Sequence, residues 1–232
     1  MRSLYRTLGR GLLRDIALVC LADAVVALAY GAISVSAGFE PWVPVLLSLA
    51  VFAGASQFLL TGILAAGGSV TAAVAAGLLV NARHLPFGLA VRDLLGTGLL
   101  GRLVGSHVMT DEAVAFALAE PDHRRRRAAY WTCGLGLFVV WNLAVMVGAA
   151  AGRAIETTDA LGLDAAFPAV LLALVLPSLR DAGTRRAALI GIAIALATTP
   201  FLPTGLPVLL ALFGVAAATV GRPSPSTSPG TP

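Results

Sequence analysis

The sequence predicts an all-α, polytopic membrane protein of about seven to eight transmembrane or half-spanning helices, with broken helices near the midplane. Three observations carry that prediction. Of 232 residues, 58% are hydrophobic and only 12% are charged, against about 25% charged in a soluble domain. A soluble fold of this size has too little interior to hide so much apolar surface. The apolar residues come in runs of bilayer length, separated by short turns rich in Arg, Pro and Gly. Polar side chains and a proline stand inside those runs, where they are costly and therefore point to function.

Taken in order, residues 1–15 carry Arg2, Arg6, Arg10 and Arg14. Their spacing of four places them on one helical face, a basic collar that holds the N-terminus in the cytoplasm. A span is expected from about Ile16 to Ala37, containing Asp23. It is too long for a signal sequence, and further spans follow it, so it is read as uncleaved. Gly38-Phe39-Glu40-Pro41 forms a turn, and a second span is expected over Trp42–Ala66, with Ser56-Gln57 inside it. A third runs from about Val70 to Ala90. Pro86 removes the hydrogen bond that would satisfy the Ala82 carbonyl, so a kink or break is expected beside Asn81, Arg83 and His84. Further apolar segments are expected at 128–151, 165–179, 187–202 and 206–220. The domain reading is thus a collar (1–15), one transmembrane permease domain (16–220) and a Pro/Ser/Thr-rich tail (221–232) that is expected to be disordered.

Arginine placement constrains the topology. All sixteen basic residues are Arg. Arg124 to Arg127 precede the 128–151 span and, like the N-terminal Arg, favour the cytoplasm. Three full spans before them would put them outside. Either an extra short crossing around Leu94–Met109 or a pair of half-helices re-entering within residues 51–93 removes the conflict, and both leave the two termini cytoplasmic. Pro44-Val45-Leu46-Leu47-Ser48-Leu49 also echoes Pro207-Val208-Leu209-Leu210-Ala211-Leu212, the kind of internal repeat that transporters carry.

Several chemistries are unsupported. His84, His107 and His123 lie in separate segments, Cys20 and Cys133 have no metal-site spacing, and no metal site or cofactor is expected. No phosphate-binding loop is present. The Arg run lacks interleaved aromatics and a soluble module, which argues against nucleic acid. Gly54-Ala55-Ser56-Gln57-Phe58 is not the Gly-x-Ser-x-Gly of a hydrolase elbow. What remains suits a polar solute crossing lipid. Arg83 can meet a carboxylate; Asp23, or carbonyls freed near Pro86, can meet an ammonium; Ser56, Gln57 and Asn81 can add neutral hydrogen bonds. Arg83 and His84 fall on different helical faces, so both can face one cavity only if the helix is broken. Asn142 is read as a helix–helix hydrogen-bonding residue.

Two stretches carry a resemblance. Val51-Phe52-Ala53-Gly54-Ala55-Ser56-Gln57-Phe58 and Leu79-Val80-Asn81-Ala82-Arg83-His84-Leu85-Pro86-Phe87-Gly88-Leu89 resemble two signatures of the AzlC family. Thr110-Asp111-Glu112-Ala113-Val114-Ala115 resembles its third, in the same order. Val25-Val26-Ala27 stands where the family usually has Pro-Phe-Gly. The resemblance implies the large subunit of a two-component exporter of branched-chain amino acids. Its expected setting is the cytoplasmic membrane, beside a small hydrophobic AzlD-type partner and driven by protons. On that reading Ser56, Gln57, Asn81, Arg83 and His84 serve the substrate, and Asp23, Asp111 and Glu112 are candidates for coupling or gating. His84 is a further proton candidate, since histidine ordinarily titrates near neutrality. The alternatives are a non-transporting assembly or sensor subunit and, third, an intramembrane hydrolase using Ser56.

Overall fold

The structure is a computed structural model and describes residues 2–96, 98–154, 178–202 and 206–215, with positions 172 and 176. It is helical throughout these residues. The α-helices are α1 (Arg2–Ser36), α2 (Trp42–Ala50), α3 (Gly54–Ala65), α4 (Val70–Asn81), α5 (His84–Val91), α6 (Leu99–His107), α7 (Asp111–Ala119), α8 (His123–Ala154), α9 (Ala182–Thr198) and α10 (Leu206–Ala211). Three stretches among the described residues are long and apolar enough to cross a membrane: Thr7–Ser36, Val70–Val91 and His123–Arg153. Leu18, Leu21 and Val25 stay exposed on α1, as a lipid-facing surface requires. Most of the expected segment at 165–179, and the tail, lie outside the described residues.

The frame is α1 against α8, packed parallel. At one end the Arg125 guanidinium donates to the Thr7 carbonyl at 2.9 Å, and at the other Arg153 and Glu40 stand 4.0 Å apart. The end where α1 and α8 begin is the basic end; the opposite one is the far end. Between them the helices touch through glycine. A Cβ on Gly148 would sit 2.0 Å from the Leu28 carbonyl oxygen, and one on Gly31 2.3 Å from that of Val145. Small residues permit such close approach, and in lipid, dispersion contacts of this kind do much of the work that the hydrophobic effect does in water. The expected single Arg face does not run through the N-terminal segment. Gly9 adopts φ 74, ψ 164 and interrupts α1, so residues 1–15 do not form one continuous helix.

The expected second span is not a crossing. α2 descends from the far end against α8: the Ser48 hydroxyl donates to Asn142 Oδ1 at 2.7 Å, and the Phe52 and Phe138 rings lie 5.0 Å apart. Phe52 then takes φ +43, unique among described non-glycine residues, and Ala53 is extended. α3 runs back toward the far end, where Thr61 Oγ1 lies 3.4 Å from Tyr30 Oη. Residues 42–65 are therefore a re-entrant hairpin with its tip at 51–53. Length alone could not distinguish this from a crossing; the turn is made by the backbone at Phe52, which buried packing holds in place.

α4 starts at the far end, capped by the Ser69 hydroxyl, which accepts from Ala72 N–H at 3.2 Å. After the expected break at Ala82-Arg83, α5 carries the chain to the basic end, where Asp93 meets His123 at 3.4 Å and Trp131 Nε1 donates to the Leu94 carbonyl at 3.0 Å. α6 climbs from there: Tyr130 Oη donates to the Gly105 carbonyl at 2.8 Å, and His107 Nε2 lies 2.8 Å from the Leu49 carbonyl oxygen. The chain turns at 108–110, and α7 returns to the basic end, where the Arg126 guanidinium donates to the Glu120 carbonyl at 2.8 Å. The Leu94–Met109 region is thus half of a second re-entrant hairpin, not a crossing. One re-entrant hairpin, at 42–65, removes the topology conflict, and it begins earlier than the 51–93 stretch expected to hold one. Beyond α8, Leu209 of α10 packs on Ile63, Ala72, Ala73 and Ala76.

If the α1–α8 seam sets the frame, Gly148→Leu forces a side chain into the backbone of α1. Its expected cost is roughly 1–3 kcal/mol or more, seen as loss of monodisperse protein in detergent. Gly11→Ala, with open space around it, should be tolerated in the same assay.

Candidate functional site

Three interruptions in the helices meet at one place. The α2/α3 tip, the α4/α5 break and the α6/α7 tip surround a cavity of about 500 Å³. From the first come Phe52, Ala53, Gly54, Ala55 and Phe58; from the second Arg83 and His84; from the third Thr110, Asp111 and Glu112. Asp23 and Val26 of α1 and Leu137 and Trp141 of α8 complete the lining. Irregular backbone is tolerated at membrane depth where protein or a cavity covers it, and all three interruptions have such cover.

The α4/α5 break has a local cause. Pro86 has no N–H to offer Ala82, whose carbonyl accepts instead from Leu85 N–H at 3.0 Å, a tighter turn. Ala82 N–H bonds the Leu79 carbonyl in the same tight pattern. The Ala82 carbonyl thus keeps one hydrogen bond in place of the one that Pro86 removes. The tightened turn shifts the helix phase, and Arg83 and His84 both line the cavity, which an unbroken helix would not allow. His84 Nδ1 lies 3.0 Å from the Asn81 carbonyl oxygen.

Arg83 faces the cavity rather than reaching for the interface. Its Nη1 donates to Asp111 Oδ2 at 2.6 Å, with 38% and 41% of the two side chains accessible. An ion pair this accessible stabilises by roughly 1 kcal/mol or less, so an incoming charged group can replace either partner. Arg83 Nε and Asn81 Oδ1 are buried without a hydrogen-bond partner among the described residues. Asp111 and Glu112 occupy the first turn of α7, where the helix dipole favours negative charge, and Thr110 caps that turn by accepting from Ala113 N–H at 3.2 Å.

The structure brings Asp23, Arg83, His84, Asp111 and Glu112 together around one space. It does not bring Ser56, Gln57 or Asn81 to the lining. Gln57 is 2% exposed; its Nε2 donates to the Leu47 carbonyl at 3.1 Å, and its Oε1 accepts from Trp141 Nε1 at 3.2 Å. It ties the α2/α3 tip to α8. Ser56 Oγ lies against Gly77, where a Cβ would approach it to 2.8 Å. Asn142 joins α8 to α2 through Ser48, as its reading from sequence anticipates. Phe52 and Thr110 stand in the family-like stretches but were given no role from sequence, and Trp141 and Leu137 were not singled out. For Leu137 and Trp141 no local signal exists, because apolar residues are common in α8. Cys20 and Cys133 are buried, and no cluster of potential metal ligands occurs among the described residues.

This arrangement defines a multi-pass helical membrane protein with a central, mixed polar and apolar cavity between discontinuous helices. The chain belongs to the AzlC family: residues 18–155 match the family described as AzlC protein. It is similar to "Inner membrane protein YgaZ" of Escherichia coli (strain K12), with 32% identity over 66% of this chain and 62% of that protein's length. It is also 25% identical to an "Uncharacterized membrane protein" of Helicobacter pylori (strain ATCC 700392 / 26695) over 84% of this chain and 82% of that one. A protein of the same description from strain J99 / ATCC 700824 matches at the same identity and coverage. No solved structure matches.

The geometry separates anchoring residues from cavity-lining ones. Gln57→Leu strands the Trp141 indole N–H and the Leu47 partner, with an expected loss of about 1–3 kcal/mol and a lowered melting temperature in detergent. Arg83→Gln, acting on a half-accessible pair, should shift that temperature by less than half as much.

Proposed function

We propose that this chain is the substrate-carrying subunit of a secondary transporter that exports branched-chain or similarly hydrophobic amino acids across the cytoplasmic membrane. The observation behind this is the composition of the central cavity, whose lining holds both charged residues, Arg83, Asp111, Asp23 and Glu112, and large apolar ones, Phe52, Phe58, Leu137 and Trp141. A zwitterion with an apolar side chain has matching parts. Its carboxylate takes the Arg83 guanidinium, which lines the cavity. Its ammonium takes Asp111, released from Arg83, or Asp23 and Glu112. Its side chain lies on the aromatic and aliphatic wall. Membership of the AzlC family supports the reading.

Coupling to protons follows as part of the proposal, with Asp23 and Glu112 as carriers, because a carboxylate that gains a proton gives up its hold on the ammonium. The basic end faces the cytoplasm, since Arg10, Arg14 and the Arg124–Arg127 run gather there. A small hydrophobic AzlD-like subunit completes the assembly. Ser56 lies outside the cavity that His84 lines, and nothing in the geometry favours a hydrolase built on that pair.

The test is flux of labelled leucine in proteoliposomes holding this chain with its small hydrophobic partner under an imposed proton gradient. Gradient-dependent movement is expected, and Arg83→Ala, inserted at the wild-type level, should reduce it at least ten-fold, about 1.4 kcal/mol or more of lost interaction. Vesicles with both subunits that move no leucine, isoleucine or valine sink the reading.

A further inference from the structure

We propose that residues 13–65 and 70–122 form an inverted repeat, and that its two hairpins are opposing gates of the central cavity. The inference deepens the transport reading and rests on it for the solute, though not for the geometry. A single shift of 57 positions aligns the two halves in sequence and element order. It lays α2, Trp42–Ala50, on α6, Leu99–His107, both nine residues long. The next three residues, 51–53 and 108–110, are the two tips. The residue closing each first helix is valine, Val51 and Val108, and each returning helix begins after an extended residue, Ala53 and Thr110. In the preceding spans the same shift lays Leu28-Ala29-Tyr30-Gly31 on Leu85-Pro86-Phe87-Gly88. Cavity residues also correspond: Val26 with Arg83, Gly54 with Asp111, Ala55 with Glu112.

The two halves run in opposite senses. α1 leads from the basic end and is followed by a hairpin from the far end; α4/α5 leads from the far end and is followed by a hairpin from the basic end. Such inverted repeats place a site at their interface and let one half rock against the other. At corresponding cavity positions the first half presents Val26, Gly54 and Ala55, and the second presents Arg83, Asp111 and Glu112. Most of the charge offered to the solute is thereby assigned to the second half, with Asp23 as the first half's charged contribution.

The hairpin tips touch. His107 Nε2 is 2.8 Å from the Leu49 carbonyl oxygen, and its ring centroid is 6.2 Å from that of Phe52. Each hairpin is anchored to a long helix by its own bonds: α6 through Tyr130 Oη to the Gly105 carbonyl, α2 through Ser48 to Asn142. Loosening an anchor frees that hairpin toward the end it entered from, and the cavity opens at that end alone.

The experiment uses the full chain with Cys20→Ala and Cys133→Ala and a single reporter, Ala55→Cys, in vesicles of both orientations, with labelling by a membrane-impermeant maleimide. Tyr130→Phe is expected to speed labelling from the basic end about five-fold, the population shift that roughly one lost hydrogen bond produces. Ser48→Ala is expected to speed it from the far end. His107→Ala, which breaks the tip contact, should speed both. Folding of each variant is checked by its melting temperature. Two folded anchor variants that change labelling from the same end, or that change neither, overturn the two-gate inference, as does a His107→Ala effect confined to one end. Opposite shifts in a protein that moves no amino acid keep the gates and remove the transport reading; flux without opposite shifts does the reverse.

Discussion

Everything in this molecule depends on keeping broken backbone away from lipid. A helix interrupted at membrane depth leaves N–H and carbonyl groups that hydrocarbon cannot satisfy, at several kcal/mol each. Among the described residues three such interruptions gather at the cavity, and each is tolerable because the others and the long helices surround it. The parallel α1–α8 seam makes that enclosure. Its glycines bring two backbones within reach of a methyl group, and the two hairpins lean on the frame so formed. Buried polar groups then tie the tips down: Gln57 joins the α2/α3 tip to Trp141 of α8, and Tyr130 joins α6 to the same helix. Gln57 thus ties the tip to α8 through its own hydrogen bonds.

The same enclosure creates the chemistry. Helix ends gathered around one cavity concentrate groups that would be prohibitive on a continuous span. Asp111 and Glu112 sit at a helix N-terminus and Arg83 at a tightened turn, so their charges are partly met by backbone and by each other. The Arg83–Asp111 pair remains partly accessible, with 38% and 41% of the two side chains exposed. A pair wholly withdrawn from water would be far harder to open. The strained backbone of Phe52 belongs to the same logic, since strain held by packing collects where elements must meet or move.

Much of this was written locally in the sequence. Hydrophobic content and run length determined the membrane class. Pro86 determined the α4/α5 break, because a missing N–H acts within four residues of itself. The Arg run at 124–127 determined that the span count before it could not be a plain three. The charged members of the cavity, Asp23, Arg83, His84, Asp111 and Glu112, were legible because a charge in an apolar run has a cost visible without coordinates. The tertiary structure alone decided the rest. That residues 42–65 turn back is a matter of φ at Phe52 and of the rings packed on it, and composition does not encode either. That Ser56 and Gln57 stand behind the cavity wall depends on which way α3 leaves the tip. Leu137 and Trp141 became cavity residues only through the packing of α8, since an apolar side chain in an apolar helix carries no mark of what it faces.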